Sequence, residues 1–228
     1  MSNRISPALL VASALALAGC DPWVVGDGVF KEETRTTGAF VGVSVQDGLE
    51  VEATGGAVAH SVKVSGDQNV LEHIVTEVVN EAGLGATLIV KSDVTHIEST
   101  HPLRVSVAVP VLSHARAVEN AVLEVKGAAA EIFDVHAGDG AEVELSGTGG
   151  DHLLVTLWGG SKGGATLDAR SYVAGDATVA LTGGAVAELH VDGPVTGTVA
   201  EGSSLVNVGE GTCAAVVLSS GGQKQCAP

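Results

Sequence analysis

The sequence predicts an all-β solenoid, a right-handed β-helix of short glycine-punctuated strands, with a β-sandwich as the alternative. Two observations carry this expectation. Runs of apolar/polar alternation, such as Val122-Leu123-Glu124-Val125-Lys126 and Ala141-Glu142-Val143-Glu144-Leu145, recur about every ten residues from 121 to 211. Alternation with period two is the mark of a half-buried strand. Glycine turns close the runs, at Gly127, Gly138-Asp139-Gly140, Ser146-Gly147, Trp158-Gly159-Gly160 and Gly183-Gly184.

One such strand buries two or three side chains, too few to offset an ordering entropy of roughly 1–2 kcal/mol per residue. Successive units must therefore share a core. A single-sheet meander would leave an exposed edge, whereas a coil that stacks each strand on the one a turn earlier gives a continuous dry interior. The expected inward residues Leu123, Val125, Val143, Leu145, Val179, Leu181, Leu189 and Val191 are compact aliphatics suited to it. A sandwich would space its turns similarly, at roughly 8–12 residues.

The chain has 228 residues, room for one or two domains. Its 45% apolar content argues against disorder, and its 31 glycines show no collagen period. The formal net charge of −16 excludes nucleic-acid binding as a first reading, because no basic stripe exists to neutralise phosphates. It argues equally against electrostatic adhesion to anionic lipid. The acids read as solvated outward strand positions; the alternative is a surface that collects divalent cations.

Residues 1–19 form an export signal, with Arg4 as the n-region and Ala8 to Leu17 as the apolar h-region. The run is too short to span a membrane. It ends in Leu17-Ala18-Gly19-Cys20, which resembles the lipobox of bacterial lipoproteins. That resemblance implies a diacylglyceryl thioether on Cys20, cleavage before it and acylation of the new N-terminus. The membrane, reached through this lipid, is then a partner, and two or three acyl chains anchor firmly where one is marginal. Cleavage removes one base and no acid, leaving 10 basic against 27 acidic residues and a charge of −17. With Cys20 lipidated, Cys213 and Cys226 remain as a natural pair. Their disulfide would close a loop of about 13 residues and contribute roughly 3 kcal/mol in the chain-entropy model.

Residues 20–37 read as a polar tether, with Trp23 resting at the lipid interface. From Gly38 the strands begin. Ala39 to Val45 and Leu49 to Ala53 are joined by Gln46-Asp47-Gly48, read as a hairpin turn. Val58 to Val64, Ala86 to Lys91 and Leu103 to Val109 follow, with one helical turn expected near Val70 to Ile74. Residues 38–110 make an N-terminal strand region, 111–211 the repeat half, and 212–228 a C-terminal cap.

Phe40-x-x-Val43-x-Val45-x-Asp47-Gly48-Leu49-x-Val51 resembles the opening strands of the head GIN domain, the auto-transporter adhesin family of envelope proteins. Val62-x-Val64-x-Gly66-Asp67-x-Asn69, Leu88-Ile89-Val90 and Val105-x-Val107-x-Val109-Pro110 fit the same pattern, as do Leu145-Ser146-Gly147-x-Gly149 and Leu181-Thr182-Gly183-Gly184. The resemblance spans about 38–211. It implies a β-helical fold, attachment to the bacterial cell envelope and no catalytic residues. Its repeat is degraded at Trp158-Gly159-Gly160 and at Val191-Asp192-Gly193, which leaves the rung register open there.

Other chemistry is sparse. Of eight histidines, His96 and His101 flank Glu98 at a spacing that could sit near a metal, but a polar loop is the simpler reading. Asp134, Glu142, Glu144 and Asp168 could form a carboxylate ladder on adjacent coils, with Asp168-Ala169-Arg170 superficially like a polysaccharide lyase. A ladder facing one side beside a base would favour an enzyme; scattered outward charges would favour display. Such a site also needs a groove and aromatic platforms, and the repeat half offers only Phe133, Trp158 and Tyr172. Gly147 to Leu153 has the composition of a calcium-binding glycine repeat with the wrong spacing. Ser146 and Ser161 lie in glycine turns without a nucleophile elbow. No cofactor motif is present. The expectation is a non-catalytic envelope lipoprotein for surface interaction, adhesion or display, meeting an envelope protein or a surface glycan. The alternatives are periplasmic sensing or support and, further off, a polysaccharide-binding or polysaccharide-cleaving module. Which membrane carries it is left open.

Overall fold

The computed structural model describes residues 23–81 and 83–226. The export signal and Cys20 lie outside the described residues. The N-terminal half contains β1 (Trp23–Val25), β2 (Phe30–Arg35), β3 (Gly42–Val45), β4 (Glu50–Thr54), β5 (Ser61–Asp67), α1 (Gln68–Leu71), β6 (Ile74–Glu81), β7 (Gly85–Ser92), β8 (His96–Glu98) and β9 (Arg104–Ala108). The second half contains β10 (His114–Ala117), β11 (Val122–Ala128), β12 (Ile132–Gly138), β13 (Glu142–Gly147), β14 (His152–Gly160), β15 (Gly163–Gly164) and β16 (Thr166–Ala174). It continues with β17 (Asp176–Leu181), β18 (Val186–Val191), β19 (Val195–Val199), β20 (Ser204–Asn207), β21 (Ala215–Leu218) and β22 (Gln223–Gln225).

Two long sheets face each other across one core. The first runs β21-β19-β17-β14-β12-β10-β3-β7-β6, the second β2-β5-β9-β4-β11-β13-β16-β18-β20-β22. In the second half the chain alternates between them, one strand in each, so two strands and two corners make one rung. Every neighbour there is parallel apart from the short β14–β15 pair. The layering is that of a sandwich, but the parallel wiring is that of a solenoid. The ten-residue strand unit is thus half a rung. Along the column His114–Asp134–Leu154–Thr178–Thr196–Ala215 the partners stand 20, 20, 24, 18 and 19 residues apart.

The rung of 24 explains the degraded repeat at Trp158-Gly159-Gly160. There β14 runs on and pairs antiparallel with β15, a small hairpin that carries the extra residues. In the same rung β16 bulges, with three residues between Ala169 and Val173 left without partners on β18.

The core consists of stacked columns. Val51, Leu123, Val143, Leu167, Ala187 and Leu205 lie in register on six strands, and all are buried. Each of the eight inward positions expected from alternation is buried as well. Fully burying a Val or Leu side chain is worth about 1.5–3 kcal/mol, so these columns are the main stabilising feature of the rungs.

Asp47-Gly48 does not close a hairpin. Both residues have positive φ (59° and 69°), as a tight hairpin turn requires, but β3 and β4 lie in opposite sheets. The turn is a corner, repeated at Glu119-Asn120, Asp139-Gly140, Glu201-Gly202 and Ser220-Gly221, all with positive φ. Successive corners bond to each other: Gly48 N–H donates to Glu119 O at 2.9 Å, and Gly202 N–H to Ser220 O at 3.1 Å.

The segment read as a tether also belongs to the fold from Trp23 onward. β1 pairs in parallel with β8, and β2 pairs antiparallel with β5 as the edge of the second sheet. Asn69 fixes the join, accepting from Asp27 N–H at 2.9 Å and donating to Val25 O at 2.8 Å. The polar pattern of β2 reflects its edge position, where charges discourage further pairing. At the opposite end Cys213 and Cys226 form the disulfide, with Cα atoms 6.0 Å apart. Lys224 Nζ reinforces that end by donating to Cys213 O at 2.6 Å and Val216 O at 2.9 Å.

Candidate functional site

The outward face of the second sheet carries five carboxylates on successive strands. Glu52, Glu124, Glu144, Asp168 and Glu188 are direct register partners. Parallel strands lie about 4.8 Å apart, close enough for like charges to repel. Two cations relieve this. Lys126 Nζ reaches Glu52 at 3.1 Å and Glu124 at 2.8 Å. Arg170, thrown outward by the β16 bulge, donates two hydrogen bonds to Asp168 and lies 3.1 Å from Glu188. The Arg170 fork holds the Asp168 carboxyl below the usual carboxylate range, while the two glutamates raise the Lys126 ammonium. A shallow groove of about 230 Å³ opens on this face, lined by Glu50, Glu52, Arg104, Ser106, Val122 and Glu124.

The expected ladder is therefore partly correct. Glu144 and Asp168 belong to it and Glu142 stands beside it, but Asp134 is on the opposite sheet, next to His114 and 3.0 Å from His136. Glu52, Glu124 and Glu188 were missed. The signal was available: Val51-Glu52-Ala53, Leu123-Glu124-Val125, Val143-Glu144-Leu145, Leu167-Asp168-Ala169 and Ala187-Glu188-Leu189 all place an acid between two small apolar residues. Aligning them needs the two-strand rung and the 24-residue exception.

The first sheet presents a different face. Here Asp134, His136, Thr156, Thr178, Thr196 and Thr198 point outward, His114 lies on the same side but is covered, and Trp158 lies over Gly138, where any Cβ would collide with its ring. His114 is 2% exposed and packs against Gly42, with Nε2 2.8 Å from Thr87 Oγ1. Burial pushes its imidazole below the ordinary value, against the opposing pull of Glu81 and Asp134.

Two further polar clusters owe their form to loops. Asp67 is fully buried and accepts from Ser99 Oγ (2.9 Å), Thr100 N–H (2.5 Å) and His101 Nδ1 (2.6 Å). Burial alone would raise its carboxyl, but the bonds from His101, Thr100 and Ser99 outweigh it and bring it to about 2. His101 is thereby committed to Asp67, whereas His96 stacks edge-on against Trp23, with centroids 5.0 Å apart. The two histidines that flank Glu98 serve different partners, and among the described residues no cluster of three or more His, Cys, Asp or Glu could hold a metal. At the stacked corners Asp47 and Glu119 meet, and their shared hydrogen bond raises Glu119. Asp139 there accepts from Lys162 N–H at 2.9 Å. Ser146 donates to Val125 O and Ser161 to Asp139, so both serines serve turns.

A family model described as "Putative auto-transporter adhesin, head GIN domain" matches residues 39–211. The chain belongs to the head GIN domain family. Solved structures similar to it include a putative adhesin from Bacteroides fragilis, at 13% identity and TM-score 0.66, covering 89% of this chain and 98% of that one. A putative lipid binding protein from Parabacteroides distasonis matches at 13% identity and TM-score 0.54, over 91% of this chain and 100% of its own. A putative adhesin from Parabacteroides merdae matches at 14% and 0.54, over 92% and 100%. At such identities the likeness establishes the fold. The comparison with curated proteins finds no match. Among the described residues no helix is long and apolar enough to cross a membrane.

Proposed function

We propose that this protein is a non-catalytic lipoprotein of the bacterial cell envelope, anchored through Cys20, whose solenoid displays flat strand faces for adhesion or structural contact. The observation that carries this reading is the pair of unlike outward faces. One is a row of five carboxylates at strand spacing, the other a polar field of histidine and threonine. Periodic flat surfaces suit recognition of a repeating partner, such as an envelope protein lattice or a surface glycan. The names borne by the similar structures, adhesins and a lipid binding protein, are in keeping with it.

A polysaccharide-cleaving reading has one feature in its favour, because the carboxylates do face one side beside Arg170. Yet Arg170 is bound to two of them, and Asp168 is held ionised rather than raised toward a general acid. The arrangement balances charge on a surface.

Protease shaving of intact cells tests the proposal, with a Cys20→Ala variant as the anchoring control. Display predicts digestion of the mature domain on whole cells and loss of the variant from the membrane fraction. Protection until the outer membrane is breached would overturn surface adhesion and favour periplasmic support. A Cys20→Ala variant that stays in the membrane fraction would overturn the lipid anchor.

A further inference from the structure

The end of the solenoid that holds β1 and β2 carries large apolar side chains in solvent. Trp23 is 62% exposed, Val25 59%, Val29 52% and Phe30 57%, all within eight residues. Elsewhere most exposed apolar residues are single, which is ordinary; four so close in sequence call for a covering surface. They are held rigidly. β1 is paired to β8, Gln68 N–H donates to Val29 O at 2.8 Å, and the Trp23 and Phe30 rings rest edge-on against His96 and His101, 5.0 and 5.6 Å apart.

We infer that this end is a membrane seat: Trp23, Val25, Val29 and Phe30 enter the interfacial layer of a lipid bilayer and hold the solenoid upright on it. The inference rests on the Cys20 anchor of the proposed function. Cys20 precedes Trp23 by three residues, a reach of at most about 11 Å for extended chain, so an acylated Cys20 brings this end against the headgroups. The Trp23 ring, apolar with one polar N–H, prefers that layer, and the apolar Phe30, Val25 and Val29 side chains gain by leaving water beside it. The local charge also fits. Lys31 and Arg35 both pair with Glu33, at 3.1 and 2.6 Å, whereas the row of five carboxylates begins only on β4, three strands in from β2, and runs away from it. β2 and β22 are the two ends of a ten-stranded sheet. Nine strand spacings put the disulfide-closed tip about 43 Å away. The anionic faces then stand clear of the lipid, with the tip outermost.

The test tethers the protein chemically, so that it does not depend on processing in the cell. Protein beginning at Cys20, with Cys213–Cys226 oxidised, is coupled through the Cys20 thiol to maleimide-phosphatidylethanolamine in phosphatidylcholine vesicles. Single-tryptophan reporters are built in a Trp23→Phe, Trp158→Phe background, one with Phe30→Trp and one with Val217→Trp. The expected result is a blue shift and quenching by brominated acyl chains at position 30, with neither at position 217. Val25→Ser with Val29→Ser should abolish the quenching at 30 while the tether stays intact. Equal quenching at 30 and 217, or quenching at 30 that survives the serine pair, overturns the seat. Should Trp158→Phe prevent folding, reporters that retain Trp158 are compared by difference spectra against Trp23→Phe. A seat seen here with no lipidation of Cys20 in cells would overturn the anchor and leave the apolar seat standing.

Discussion

The rungs from β10 onward and the region before them share strand length and one core, yet they are held by different devices. In the rungs each strand other than the short β15 lies parallel to its neighbour, and the load falls on columns that are apolar until Asn207, near the closing end, where the amide bonds to Val191 and Gly211. The earlier region folds back on itself. β5 and β6 pair antiparallel with β9 and β7, and the β7–β9 layer enters beneath β3–β4 although it follows them in sequence. Long connections there have no ladder, so polar side chains fasten them: Asp67 the 99–101 loop, Asn69 the 25–27 segment, and Arg35 Nη2 the Leu71 carbonyl at 2.6 Å. Repetition lets a chain dispense with specific polar locks, and a fold that closes an end cannot.

The largest expected effect tests whether this difference divides the molecule energetically. Leu145→Ala, at a fully buried column position, should cost about 2–5 kcal/mol. Nearest-neighbour stacking confines the first damage to adjacent rungs. Each region holds one tryptophan, Trp23 and Trp158, so urea unfolding followed with Trp23→Phe and Trp158→Phe backgrounds reads them separately. A shift confined to the Trp158 transition supports two units; equal shifts in both would merge them into one.

Reducing the far end comes next. Cys213→Ser with Cys226→Ser should lower stability by roughly 3 kcal/mol in the chain-entropy model, seen as an earlier Trp158 transition with Trp23 little changed. An unaltered melting curve would mean that Lys224 and the β20–β22 pairing close the end without the bond.

The same contrast explains what the sequence made legible. The rungs were readable because alternation and glycine corners repeat, and the inward residues followed from period two alone. Three things were hidden. β10 is His-Ala-Arg-Ala, without a β-branched residue, and takes its strand form from β3 and β12 on either side. β2 reads as a charged linker because edge strands are charged. Asp47-Gly48 has hairpin chemistry, and only the sheet assignment shows that it turns a corner. Of the outward carboxylates, Glu144 and Asp168 could be seen in consecutive repeats, but Glu52 is separated from Glu124 by the folded-back region, and no local period crosses it.

Acidity should affect the polar locks and spare the columns. Asp67 has a folded value of about 2 against 3.8 for a free aspartate, so the stability it supplies is complete above pH 4 and is lost as pH falls toward 2. His114 is lowered from 6.5; the unfolded chain therefore binds its proton first, and stability is complete above about pH 6.5 and declines below it. Melting temperatures measured from pH 8 to 2 should fall in both windows. Asp67→Asn should flatten the lower one and His114→Gln the upper. A profile unchanged by both variants would show that the acid sensitivity lies in the carboxylate rows instead.

The smallest effect separates surface from lock. Arg170→Gln removes the bridge between Asp168 and Glu188 on an exposed face, where ion pairs are weak and screened by salt. Thermal stability should be unchanged at physiological salt and slightly reduced at low salt, as Glu144, Asp168 and Glu188 repel along the ladder. A loss as large at high salt as at low would mean that Arg170 acts by packing the β16 bulge rather than by charge. Its stem would then count among the supports of the rungs, and the acidic face would depend on the bulge for its shape.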